Sequence, residues 1–187
     1  EFTAYDNTVP VVEDVVALGT KAIKVIMSEP IKEAKISDFK LDGKAIYGSI
    51  DKVGREIVLK PYKALDVKEY ELTVGRLEDY AEFKSVESKH GFEVVEDKEK
   101  PFVEEVNAYL ESAVITFSED IDNSTVSRYN VYWGDKVYPE SATKIAGNKV
   151  LVVFTAKKAL PVYETALHIS GFADYSGNKM EPAEVKV

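Results

Sequence analysis

An all-β fold in two tandem sandwiches, about seven antiparallel strands each, is what this sequence predicts. Three observations carry the prediction. The chain repeats itself: "PVVEDVVALGTKAIKVIMSEPI" from Pro10 returns as "PFVEEVNAYLESAVITFSEDI" from Pro101, and "KALDVKEYELTVGRLEDY" from Lys63 returns as "KALPVYETALHISGFADY" from Lys158. A period of about 90 residues is the size of a domain rather than of a solenoid repeat. Within each copy the apolar residues alternate with period two, and no stretch sustains a 3.6 period. Turn dipeptides, Asp42-Gly43 and Gly147-Asn148, sit between the apolar runs, as antiparallel neighbours require.

Taken in order, residues 1–8 read as an N-terminal tail that begins with Glu1-Phe2, a dipeptide that an EcoRI cloning site encodes, so a fragment of a longer exported protein is expected. Residues 9–98 form the first domain. Ile23, Val25 and Met27 alternate there with Lys24 and Ile26, and Leu72 and Val74 repeat the pattern further on. "EDKEKP", Glu96 to Pro101, is charged, carries no apolar side chain and stops at a proline, which marks the junction. Residues 99–187 form the second domain. Its strands are expected near 102–109, 112–118, 128–133, 136–143, 149–154, 164–170 and 179–186, with Ala113, Ile115 and Phe117 facing one way. Seven short strands in about 90 residues is the pattern of an immunoglobulin-like sandwich. Helix is expected only as a turn or two after Ser28 and Ser118.

Composition excludes several functions. The formal charge is −9, with 15 basic against 20 acidic residues up to 98 and 9 against 13 beyond it. No basic stripe offers the electrostatic footprint of a nucleic-acid binder. No apolar run approaches the roughly 20 residues that span a bilayer, so no membrane insertion is expected of this fragment. The absence of cysteine removes disulfides, thiolate zinc sites and thiol catalysis.

No catalytic signature stands out, and the chain is read as no enzyme. His90 and His168 lack a zinc-binding context, His90 reading as a surface loop residue and His168 as the polar side of "TALHIS". GxSxG, P-loop and GxGxxG sequences are absent. Tyr132 and Trp133 offer a platform for a sugar, but alternation in "YNVYWG" puts Tyr129, Val131 and Trp133 on one face and favours Trp133 as core.

A proline, an apolar strand, "VITFSEDI", an aromatic about ten residues on (Phe39, Tyr129) and a closing G-x-x-D-x-x-G-N together resemble the bacterial Ig-like domain found in tandem in S-layer proteins. The likeness covers residues 10–187. The second copy carries the closing motif at Gly171, Asp174, Gly177 and Asn178; the first keeps Gly75 and Asp79 but lacks the Gly-Asn step, so its last loop is expected to differ and to be longer. The resemblance implies an extracellular protein of the bacterial cell surface or cell wall. Its function would be structural, with neighbouring copies or domains of the same surface protein as partners. The alternative is a carbohydrate- or protein-binding accessory module of a secreted enzyme or adhesin.

Strand parity brings out one candidate site. In a seven-strand antiparallel sandwich the loops after the second and sixth strands share the end at which the chain enters. Glu119, Asp120 and Asp122 of one loop, and Asp174 and Asn178 of the other, are therefore expected to face the junction residues Asp97 and Glu99. Clustered carboxylates repel unless neutralised, and calcium takes six to eight oxygen ligands, so these seven residues are the candidate calcium ligands. The competing reading makes Asp174 the cap of its own turn.

Overall fold

The computed structural model describes residues 8–187; of the expected N-terminal tail, residues 1–7 lie outside the described residues. The chain divides into two compact units, Glu1–Asp97 and Lys98–Val187.

In the first unit the strands are β1 (Val12–Leu18), β2 (Ala22–Met27), β3 (Ile31–Glu33), β4 (Phe39–Leu41), β5 (Lys44–Ala45), β6 (Gly48–Val53), β7 (Glu56–Pro61), β8 (Glu69–Val74), β9 (Glu78–Asp79) and β10 (Ser88–Glu93). One sheet runs β1-β2-β7-β6, the facing sheet β10-β8-β4-β5, and β3 pairs with β9. The core lies between the two larger sheets: Ile23, Val25 and Met27 from β2 and Ile57 and Leu59 from β7 meet Phe39, Leu72, Val74 and Phe92 from the other side. The Asp42-Gly43 dipeptide makes the β4–β5 turn with φ of 48° and 73°, the paired positive values of a type I′ hairpin.

The second unit builds the same seven-strand frame from β11 (Val103–Tyr109), β12 (Ser112–Phe117), β13 (Val131–Trp133), β14 (Ser141–Ala146), β15 (Lys149–Val153), β16 (Ala166–Ile169) and β17 (Ala183–Lys186). Its sheets run β11-β12-β15-β14 and β13-β16-β17. All ladders in both units are antiparallel. The four-and-three order is that of a constant-type immunoglobulin sandwich, with β13 as the third strand that carries the tryptophan. Phe117 is fully buried and its ring lies 4.9 Å from Phe172, tilted by 55°.

The Ser-Glu pair repeated in the two copies has a backbone reason. Ser28 Oγ accepts from the Val11 N–H and Ser118 Oγ from the Phe102 N–H, both at 3.0 Å, so each serine closes the end of the first ladder of its unit.

Several boundaries differ from those expected. The third strand of the second unit begins only at Val131, because Ser127 caps a 3₁₀ turn over Arg128–Asn130. The fourth lies at Ser141–Ala146 rather than 136–143, since Gly134 and Lys136 take positive φ in a turn that Trp133 and Val137 close. The last strand starts at Ala183 instead of 179. Helical turns also form at Ile36–Asp38 and Ala156–Lys158, in addition to Asn123–Thr125.

Candidate functional site

The loops after the second and sixth strands of the second unit are joined by hydrogen bonds. Ile121 and Asp174 form an antiparallel bridge, the Asp122 N–H donates to the Ala173 carbonyl at 2.9 Å, and Thr125 Oγ1 accepts from the Ala173 N–H at 3.2 Å. The sequence thus placed Glu119, Asp120 and Asp122 on the same end as Asp174 and Asn178. Asp122 is engaged locally, its Oδ1 accepting from the Ser124 N–H at 2.9 Å. Glu99 is exposed on the second unit, and Asp97 closes the first.

Asp174 is only 3% exposed and organises its own turn. Its Oδ1 accepts from the Asn178 N–H at 2.8 Å, and its Oδ2 accepts from Asn178 Nδ2 at 2.7 Å. Gly177 supplies the φ of 92° that the turn needs, a region glycine enters without steric cost. Both carboxylate oxygens are therefore engaged inside the loop, as the turn reading requires. One carboxylate oxygen each from Glu119 and Asp174 nevertheless lie within 4.8 Å of one another.

Sequence reasoning missed a lysine at this end. Lys144, on β14, is 7% exposed; its Nζ donates to the Ile121 carbonyl at 2.8 Å and to the Tyr175 hydroxyl at 2.9 Å, and stands 4.8 Å from the Tyr175 ring centre. The first unit repeats the device: Lys52 Nζ donates to the Ile31 and Lys32 carbonyls and lies 5.8 Å from the Tyr80 ring centre. A signal was present, since each copy carries a lysine just before its hairpin glycine and an Asp-Tyr pair later, but alternation assigns lysine to the solvent side.

The last loop of the first unit corrects an expectation. It is not longer. Asp79 N–H donates to the Phe83 carbonyl and Glu82 N–H to the Asp79 carbonyl, matching Asp174 to Asn178 and Gly177 to Asp174 bond for bond. Glu82 takes φ of 70° in the place of Gly177. Asp79 Oδ1 accepts from the Ala81 and Phe83 N–H groups, but Phe83 has no side-chain donor, and the buried Oδ2 has no hydrogen-bond partner among the described residues. Gly75 is the counterpart of Ser170 rather than of Gly171: the Gly75 N–H donates to Asp38 as the Ser170 N–H does to Asn130.

The aromatic platform does not form as pictured. Trp133 is half-buried against the core, with Nε1–H donating to the Lys158 carbonyl at 3.1 Å, while Tyr129 is 61% exposed instead of facing inward. Tyr132 spends one face on His168, stacked at 4.6 Å, and its ring also lies 5.6 Å from Tyr138, which meets Tyr129 edge-on at 5.5 Å. These rings cover one another across the outer face of β13 and β16. His168 lies 3.7 Å from Glu184 on β17. His90 is no loop residue: it sits on β10 opposite Leu72, its Nε2 2.8 Å from Ser88 Oγ.

No family model matches the chain. It is 45% identical over 188 residues to the surface-layer 125 kDa protein of Lysinibacillus sphaericus, covering 96% of this chain, and 31% identical over 160 residues to the outer cell wall protein of Brevibacillus brevis, covering 82%. The chain spans 16% of the length of each. Among solved structures it is similar to the N-terminal part of the bacterial S-layer protein SbsC, with a TM-score of 0.42 at 16% identity over 96% of this chain and 44% of that one. A longer SbsC structure gives a TM-score of 0.44 at 16% identity over 96% of this chain and 25% of that one. Among the described residues no helix is long and apolar enough to cross a membrane. The 45% identity across nearly the whole chain makes it a homologue of a segment of a surface-layer protein, and with the outer cell wall relative this places it at the bacterial cell surface or cell wall.

Proposed function

We propose that the two units are non-catalytic building modules of a surface layer, acting through side-to-side contacts with neighbouring copies or domains of the same protein. The observation that carries this reading is an apolar patch on the second unit. Tyr109, Leu110, Val162 and Tyr163, 67%, 55%, 90% and 70% exposed, line one open groove of about 960 Å³. Contiguous exposed apolar surface of this kind marks interaction sites. A non-catalytic role also fits the histidines, one turned to Ser88 and the other stacked on Tyr132. Electron microscopy of layers reassembled from the full-length protein tests the reading: Val162→Asp with Tyr163→Asp is expected to abolish or disorder the lattice while leaving the units folded. An unaltered lattice would overturn it.

Calcium belongs to the same proposal, as a ligand of the end of the second unit that carries Glu119, Asp120, Asp122, Asp174 and Asn178. The proximity of the Glu119 and Asp174 carboxylates supports it, because like charges at that separation favour a shared cation. Calorimetric titration of calcium into chelator-stripped protein is expected to release heat and raise the melting temperature, both lost in Glu119→Gln, which leaves the Asp174 turn intact. No heat and no shift would rule it out.

A further inference from the structure

Two exposed tyrosines of the first unit, Tyr47 and Tyr62, line one groove. Tyr62 N–H donates to the Tyr47 carbonyl at 2.9 Å, one step beyond the Gly48–Pro61 pair of the β6–β7 ladder, so the two residues lie directly opposite each other. Opposed residues of an antiparallel pair project from the same face with Cβ atoms about 5 Å apart. Tyr47 is 78% and Tyr62 82% exposed, and neither ring meets another aromatic or a cation among the described residues. Their faces are free, unlike those of Tyr129, Tyr132 and Tyr138, which cover one another.

The pair borders a groove of about 420 Å³, inside the usual range of small-ligand sites, roughly 300–1,000 Å³. Its floor is apolar, with Ile46 8% exposed and Leu41, Leu65 and Tyr70 half-buried. Asp42 and Lys68 are paired at its edge at 3.3 Å, and Asp66 also lines it. Lys44, whose charge acts on Asp42, and Lys63 are lining cations with no ion pair within 4.0 Å among the described residues, so three lysines stand against two carboxylates. Free aromatic faces beside an apolar floor suit a ligand with flat C–H surfaces, and the two lysines suit a negatively charged edge. A pyranose ring bearing a carboxylate or phosphate combines both.

We propose that the Tyr47–Tyr62 groove binds an acidic saccharide, its sugar ring stacked on the tyrosines and its anionic substituent on Lys44 and Lys63. The proposal goes beyond the lattice reading and does not depend on it, because groove and apolar patch belong to different units.

The test is a titration of the full chain, followed by amide NMR, with tetragalacturonate as the acidic probe and maltotetraose as its neutral counterpart. Tetragalacturonate is expected to shift the amides around Tyr47, Tyr62 and Lys63 at concentrations up to about 10 mM, which reveals Kd values into the millimolar range. Tyr62→Ala and Tyr47→Ala should each weaken binding about tenfold, the effect of losing ~1.4 kcal/mol, with an unchanged melting temperature because both rings are exposed. Lys63→Met should weaken tetragalacturonate and leave maltotetraose alone. Absence of shifts at these residues with either sugar overturns the proposal. Equal affinity for both sugars overturns the assignment of the charge. Self-association removed by the tyrosine variants, with no response to sugar, overturns it in favour of a contact between copies.

Discussion

Phe83 donates its backbone N–H to Asp79 Oδ1 at 2.9 Å yet leaves Oδ2 of the same buried carboxylate without a partner among the described residues, where Asn178 gives Asp174 a second bond from its side chain. One loop backbone thus serves two sequences, and only one of them satisfies it. A buried acceptor left unmatched costs about 1–3 kcal/mol.

Phe83→Asn is therefore expected to stabilise the first unit by about 1–2 kcal/mol. Adding Glu82→Gly, which relieves a side chain at φ of 70°, should contribute about 1 kcal/mol more. Chemical denaturation of the single and double variants checks both steps. A loss of stability in Phe83→Asn would mean that the half-exposed ring contributes more packing than the orphaned oxygen costs.

The two lysines differ in burial, and their removal should differ accordingly. Lys144→Met strips the buried Ile121 carbonyl and Tyr175 hydroxyl of a charged donor and is expected to cost about 2–3 kcal/mol. Lys52 is exposed, so water can replace its ammonium at the Ile31 and Lys32 carbonyls, and Lys52→Met should cost less than about 1 kcal/mol. Equal losses in thermal unfolding would show that the two contacts are not different in kind.

Truncation in the core should be severe. Phe117→Ala removes a fully buried ring that meets Phe172 at 4.9 Å, with an expected cost of about 3–5 kcal/mol. A loss below about 1 kcal/mol in urea unfolding would place this face of β12 outside the core.

Glu140 titrates low because the Lys158 ammonium donates to its carboxylate at 2.7 Å, and the same positive charge adds coulombic attraction. A carboxyl held below its unfolded pKa contributes stability that is present above that pKa and is lost as pH falls through the folded value. NMR titration should place Glu140 below its ordinary value of 4.5, and Lys158→Met should return it toward that value. Asp42 should also titrate below its ordinary 3.8, held chiefly by the Glu71 N–H and then by Lys68, and Lys68→Met should therefore shift it only in part. Full return of Asp42 in that variant would contradict this order of causes.

What the sequence determined by itself is the part of the fold that side-chain period encodes. Alternation placed Ile23, Val25 and Met27, and again Ala113, Ile115 and Phe117, on the buried faces, because successive side chains of a strand point to opposite sides whatever the partner strand. Parity then brought the loops of Glu119 and Asp174 to one end, since antiparallel strands must reverse at each turn. Tertiary structure alone decided the rest. Loop length at Asp79 follows from backbone closure between Asp79 and Phe83, which the missing Gly-Asn step does not reveal. Lys144 is buried because the Ile121 carbonyl and Tyr175 hydroxyl, distant in sequence, converge on its ammonium and replace water. Tyr47 and Tyr62 become a pair only through the β6–β7 register, and Tyr132 is covered only because His168 lies opposite it on β16. Such relations depend on which strand is the neighbour and in what register, and a one-dimensional pattern of apolar residues carries neither.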